Sequence, residues 1–548
     1  MQPMKRLLLL SAITLFTGWI VNAQDITGDT RWYYFTDKAG NGFSTDRPGE
    51  FLSQRSIDRR AWQSLAVDVT DLPVSSHYLD SLAKMDLTIR HVSRWLNGVL
   101  VQSDNIARID TLDHLSFLDT VPWQPSDLDP YYPGPPPGNR FAEKLQDPPS
   151  FEYGFSRGQL AMMGVDYLHQ KGYTGRGVHI AVLDGGFTGM DTLPAFDSLF
   201  TTDRIAGERN YVDRQQAVFN RSNHGMMVSS AIAANWPGNL IGTAPHASLL
   251  LGVSENTDSE TKIEELAWIE AAEWADSAGA DIINTSLGYS VFDDSTTNYS
   301  YQDMDGQTAF ISRAASMLAS RGMLGVNSAG NEGSDDWYYI TAPADASGIL
   351  TVGAVDTTRK IASFSSRGPT YDHRIKPEVA AVGYLTALQG SSGSAVLGFG
   401  TSFSAPLVSG AVASLWQAYP GMNVPQLIRA VVESASQYRH PDATYGYGIP
   451  DVGRAFHAIT PVEIIRPHSG LKTYPNPCDA MVYIELPGEM RGRYQVNLFD
   501  LQGRKVLSLY RDLPGQIDLP ATMTRGMYVL EVHQPGKTQR FRTRMIKN

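Results

Sequence analysis

Between about residues 155 and 460, short apolar runs alternate with stretches whose apolar positions recur at helical spacing. The runs are Val178–Leu183, Ala247–Val253, Ala280–Ser286, Met323–Ser328 and Leu350–Val355. Lys262–Ser277 and Gln307–Ser320 carry the helical period. Strands that are apolar on both faces and alternate with helices predict a mainly parallel sheet covered on both sides, an α/β layer structure. In such a fold, functional groups collect beyond the carboxyl ends of the strands.

The flanking regions follow other patterns. Residues 24–123 read as a small α+β unit. It has a strand at Trp32–Phe35, a helix over Ser76–Met85 capped by Ser75 or Ser76, and a hairpin over Leu87–Gln102 turning at Asn97-Gly98. A short helix at Ile106–Leu115 and a strand at Leu115–Trp123 complete it. Residues 124–154 include a run of Pro, Tyr and Gly from Pro130 to Gly138, then Pro148 and Pro149, and read as an extended linker open to proteolysis. A second linker, 461–473, contains Pro461 and Pro467, and Pro475 and Pro477 continue the proline-rich character. In 474–548 the segments Val482–Leu486, Tyr494–Phe499, Lys505–Leu509, Met527–Val532 and Arg540–Met545 are separated by Gly, Pro and Asp turns, which predicts a small β-sandwich.

Residues 1–23 pair a basic start, Lys5 and Arg6, with an apolar stretch from Leu7 to Val21 and a small-residue end at Val21-Asn22-Ala23. The stretch is only roughly 15 residues and holds Ser11, Thr14, Thr17 and Gly18, which predicts a signal peptide cleaved near Ala23–Gln24 rather than a membrane span. The 548 residues imply several domains, and a net charge of -12 argues against a nucleic-acid binder. The lone cysteine, Cys478, excludes an intramolecular disulfide and reads as incidental, placed in the proline-rich linker.

Four polar residues stand where chemistry is expected. Asp184 follows an apolar strand directly, and Asn331 follows the strand at Met323–Ser328. His224 opens a stretch of small and apolar residues, and Ser402 lies at the start of a helical pattern, after Gly400-Thr401. Each alone has a bland reading as a turn or cap residue. Together they supply acyl transfer: Ser402 as nucleophile, His224 as proton carrier, Asp184 as its orienting carboxylate, and Asn331 with the Ser402 N–H as oxyanion donors.

In this order, the motifs resemble those of the subtilisin-family serine proteases, the subtilases. The matching segments are Ala181–Gly186, Asn223-His224-Gly225, Asn284–Gly288, Ser328–Gly333, Ile361–Pro369, Lys376–Ala381, Gly400-Thr401-Ser402 and Tyr447–Asp451. The resemblance implies a three-layer subtilisin-like domain over 155–460. It also implies that Ser286, Leu287 and Gly288 form an edge strand for substrate. Ser328, Ala329 and Gly330 would then line the primary specificity pocket, with Thr341 and Ala342 near its floor and Glu332 at its rim. The sequence departs from the family pattern at Gly185, at Met226-Met227 and at Phe403. No cofactor is implied for the chemistry. Structural calcium is compatible with the family, but the acidic pairs Asp293-Asp294 and Asp335-Asp336 read as solvated loops and no metal ligands are assigned.

Residues 24–123 are similar to subtilase propeptides, which implies a proenzyme whose own propeptide is a partner and inhibitor, cut between about Trp123 and Phe155. The last region resembles the C-terminal sorting domain of type IX secretion cargo, on Tyr474–Pro477, Leu498–Val506, Gly526–Val532 and the basic end Arg540, Arg542, Arg544 and Lys547. That implies export across the outer membrane of a Gram-negative bacterium, to the surface or the medium. The expected substrates are proteins or peptides. The main alternative is an inactive subtilase-like surface binding or adhesion protein, motivated by the altered residues after His224. A dinucleotide-binding oxidoreductase is weaker, because Gly185–Gly189 lacks the G-x-G-x-x-G spacing.

Overall fold

The structure, a computed structural model, describes residues 29–125, 130–134, 136, 138–148, 150–214, 217–459, 471–486, 490–500, 505–520, 523–534 and 540–547. The expected signal peptide at 1–23, most of the 461–473 linker and the turn at 501–503 lie outside them. The chain divides into two compact units, Met1–Ala458 and Ile459–Asn548.

The first unit opens with a lobe of four strands, β1 (Asp29–Phe35), β2 (Thr88–Ser93), β3 (Gly98–Ser103) and β4 (Leu118–Asp119), in the order β2-β3-β1-β4. Its helices include α1 (Gln54–Trp62) and α2 (Ser76–Ala83). Ser75 holds the cap position of α2, but its hydroxyl accepts no capping bond. The hairpin closes through residues 94–97 rather than through a two-residue Asn-Gly turn, and Gly98 already pairs with Ser93. Asn97 is buried, and its amide donates to the Phe35 and Asp37 carbonyls (both 3.0 Å), so a tertiary contact sets this turn.

The second part of this unit is a seven-stranded sheet. Its strands are β5 (His179–Asp184), β6 (Ile205–Asn210), β7 (Ser248–Val253), β8 (Ile282–Thr285), β9 (Leu324–Ser328), β10 (Leu350–Val355) and β11 (Val379–Val382). The order is β11-β10-β9-β8-β5-β7-β6, and every neighbour is parallel. Three helices matter for the site: α3 (His224–Ala233), α4 (Lys262–Ala278) and α5 (Thr401–Ala418). Successive residues of a strand point to opposite faces, and β8 shows which helix covers which. Asn284 accepts from Ser409 of α5 (2.8 Å), and Thr285 accepts from the Trp268 indole of α4 (3.0 Å). The sheet is therefore the middle of three layers. A Thr261/Glu264 capping box starts α4, and Gly279 in the left-handed conformation ends it.

The second unit pairs a three-stranded and a four-stranded antiparallel sheet over its own apolar core. Its first strand, Lys472–Tyr474, begins inside the expected linker. Cys478 is not a linker residue: it is 1% exposed within this core. Among the described residues, no helix is long and apolar enough to cross a membrane.

Candidate active site

Asp184 is the last residue of the central strand β5 and is fully buried. Its carboxylate receives the Gly185 N–H at 2.7 Å. His224 is the first residue of α3, and its Nδ1 lies 2.8 and 3.0 Å from the two Asp184 oxygens. The approach depends on Gly225. A Cβ there would lie 2.6 Å from the Gly186 carbonyl and 2.9 Å from the Asp184 Cβ, so a side chain would push α3 off the strand. Met226, one of the departures from the family pattern, is fully buried within α3. Burial opposes a charged imidazole, but the Asp184 charge and hydrogen bond outweigh it and raise His224 above the ordinary histidine range.

Ser402 is the second residue of α5. Gly400, at φ 139, makes the entry turn in a backbone region costly for other residues. Pro406 lies four residues on and has no N–H, so the Ser402 carbonyl receives no helical bond. The Ser286 hydroxyl donates to that carbonyl at 2.8 Å, and the Ser402 hydroxyl donates to the Ser286 carbonyl at 3.2 Å. This reciprocal pair ties the helix start to the end of β8. No hydrogen bond joins Ser402 to His224 in this state, among the described residues. The Phe403 ring lies against the imidazole, with centroids 5.6 Å apart. The Ser402 N–H has no acceptor among the described residues, as expected at a helix N-terminus.

Asn331 is fixed through its oxygen. Its Oδ1 accepts from the Thr401 N–H at 2.9 Å and from the Thr401 hydroxyl at 3.1 Å, which leaves the NH2 group free to donate. The segments expected to line the specificity pocket lie close to Thr341. A Cβ on Gly288 would lie 2.1 Å from Thr341 Oγ1, and one on Gly330 would lie 3.0 Å from the same atom. Thr341 is 1% exposed and its hydroxyl has no hydrogen-bond partner among the described residues. Ala342 pairs its backbone with Tyr289. Ser328 and Ala329 are buried at the end of β9, beside Gly330. Glu332 accepts from the Ser366 hydroxyl at 2.7 Å, and burial raises its carboxyl above the usual range. One expectation needs correction. Residues 286–288 do not form a strand: β8 ends at Thr285, and the Leu287 carbonyl accepts from Ser328 Oγ at 3.4 Å.

The Ser286 pairing, the Thr401 anchor and the Pro406 gap are additions to the residues singled out in the sequence. Of these, the Pro at the fourth position after Ser402 was the readable signal. The pair Asp293-Asp294 holds local structure: Asp293 accepts the Glu260 N–H and Asp294 caps Ser295–Thr297. Among the described residues, no group of three or more His, Cys, Asp or Glu side chains is arranged for a metal ion.

Comparison with known proteins identifies the family of each region. The model described as "Subtilase family" matches residues 175–448, "Peptidase S8 propeptide domain, Bacteroidota" matches 30–134, and "Secretion system C-terminal sorting domain" matches 472–547. The thermostable alkaline protease of Halalkalibacterium halodurans is 28% identical over 297 residues, 54% of this chain and 72% of the relative. Subtilisin E of Bacillus subtilis is 31% identical over 293 residues, 53% of this chain and 68% of the relative. In fold, the chain is similar to the epidermin leader peptide processing serine protease of Staphylococcus aureus, with a TM-score of 0.51 at 20% identity over 70% of this chain and 96% of that one.

Proposed function

The chain belongs to the subtilase family, and from that premise we propose that it is an exported serine endopeptidase, made as a proenzyme, that hydrolyses protein or peptide substrates through Ser402, His224 and Asp184. The observation that carries this reading is the Asp184–His224 contact of 2.8 Å beside a serine at a helix start. In the first step the Ser402 hydroxyl turns from the Ser286 carbonyl to His224 Nε2, which takes its proton as Oγ attacks the scissile carbonyl. Asp184 holds the proton on Nδ1 and stabilises the imidazolium. The oxyanion is received by the Ser402 N–H and the Asn331 NH2 group. His224 then gives its proton to the leaving amine, and the acyl-enzyme forms. Water attacks it, His224 takes that proton, and the acid product leaves as Ser402 is restored.

The N-terminal lobe is the propeptide and acts as the inhibitor in this reading. The C-terminal unit directs the chain through type IX machinery to the surface or the medium. A second reading, an inactive binding protein, draws on the Ser402 hydroxyl being bonded to Ser286 rather than to His224. A fluorophosphonate probe on the secreted protein separates the two, with Ser402→Ala as control. Labelling at Ser402, lost in the variant, is expected. Folded, processed protein that takes no label would favour the binding protein.

A further inference from the structure

The contacts of the stretch between the lobe and the sheet domain change sides at Arg140. Ahead of it, Tyr131 belongs to the lobe: its backbone exchanges two hydrogen bonds with Val67, at 2.7 and 2.8 Å. From Arg140 to Leu145 the ion pair, the ring contacts with Trp416 and the hydrogen bonds are with the sheet domain. The Arg140 guanidinium lies 3.3 Å from Asp281 Oδ1 and 4.2 Å from the centre of the Trp416 ring. Phe141 is 5% exposed and meets the same ring edge-on, with centroids 5.8 Å apart. The Gln417 amide donates to the carbonyls of Ala142 (3.2 Å) and Glu143 (3.4 Å), and the Leu145 N–H donates to Gly172 at 3.0 Å. A Cβ on Gly177 would lie 2.5 Å from the Ala142 nitrogen and one on Gly172 would lie 2.2 Å from the Leu145 carbonyl, so the domain surface is shaped to this strand of chain.

We infer that maturation cleaves the chain ahead of Arg140, and that residues 140–145 stay with the protease as an N-terminal clamp. The inference rests on the proenzyme reading. The step is hydrolysis of one peptide bond: its C–N bond breaks, one water is consumed, and a carboxylate remains on the lobe and an amine on the protease. Asp281 supplies the physical reason. It is 1% exposed and receives two cations, Arg55 of α1 at 2.5 Å on Oδ2 and Arg140 on Oδ1. Release of the lobe removes Arg55. A cut beyond Leu145 would remove Arg140 as well, leaving Asp281 with the His179 N–H (2.9 Å) and no cation. A carboxylate left at the foot of the sheet with neither cation loses its charge compensation altogether. A cut ahead of Arg140 keeps one partner in place.

The test uses the full-length gene product, secreted and purified, with its N-terminus mapped by intact mass and terminal sequencing. A mature chain that begins after Tyr131 and no later than Arg140 is expected. A start beyond Arg140 overturns this inference and leaves the proenzyme reading intact. An active chain that still begins near Gln24 overturns both. Melting of the mature protein gives a second readout. Arg140→Ala should lower its melting temperature by roughly 5 °C or more, with partial recovery in Arg140→Lys, whereas Arg55→Ala should leave it within about 1 °C. Equal effects of Arg55→Ala and Arg140→Ala on the mature protein would also overturn the clamp.

Discussion

Asn331 has one acceptor and one donor group, and the structure occupies only the acceptor. With Oδ1 held by Thr401, the NH2 group is the part of the side chain left to donate to the proposed oxyanion. Asn331→Ala should therefore lower kcat by about 10²–10³-fold with little change in KM, the order of loss known for a single oxyanion donor in a related enzyme. An equal rise in KM would instead make Asn331 a binding residue. Asp184 acts through His224. Because its charge raises the imidazole above the ordinary range, a neutral base requires a higher pH, and kcat/KM should climb through an inflection above about 6.5. Asp184→Asn removes the charge that favours the imidazolium. It should move that inflection to lower pH while cutting kcat by roughly 10⁴-fold. A pH–rate profile whose acid limb does not move would assign the limb to another group. Asp184, His224, Asn331 and Ser402 were legible as candidates because each sits in a short local pattern. The reciprocal Ser286–Ser402 bonds were not, because they join segments that only the folded sheet brings together.

At the scale of elements, the apolar runs gave strand positions to within a residue or two, as at β10, because burial on both faces leaves a continuous signature. Helix α1 was not legible. Its residues Arg59 and Arg60 are charged, yet both are buried against α4. Asp276 of α4 receives Arg59, Arg60 and Arg94, while Asp71 receives Arg60 and Arg321. Three of the four arginines belong to the lobe, so this network exists only while the lobe is docked. Burial alone would raise the Asp276 carboxyl, but Arg60, Arg59 and Arg94 hold it well below the usual range. Its contribution is therefore present above the unfolded carboxylate pKa and is lost only as pH falls through the depressed folded value. Asp276→Asn should destabilise the uncut precursor, kept intact by Ser402→Ala, by about 3–5 kcal/mol in chemical denaturation. Mature protein should be nearly indifferent to it. Equal losses in both forms would mean that Asp276 serves the sheet domain rather than the lobe.

For the whole molecule, the question is which parts depend on one another. The sheet domain and the lobe share one apolar cluster, in which Trp95, Leu96 and Leu100 of the lobe pack with Leu266, Trp268 and Ile269 of α4. The C-terminal unit closes a core of its own, with Val482, Ile484, Val496, Leu498, Leu530 and Met545 at 0% exposure. Cys478 fills space in that core, which sequence reading missed because Pro475 and Pro477 just before it masked an ordinary buried position. A unit that buries its own strands needs no help from the protease to fold. Ending the chain at Ala458 should therefore leave kcat/KM on a small peptide within about twofold, because no group proposed for the chemistry lies beyond that point. The same truncation should abolish delivery, since the matched sorting domain spans 472–547, and the protein should accumulate in the cell envelope. Both halves of the outcome are needed. Activity that falls with the truncation would make the C-terminal unit part of the enzyme, and unchanged secretion would remove its role as the sorting signal.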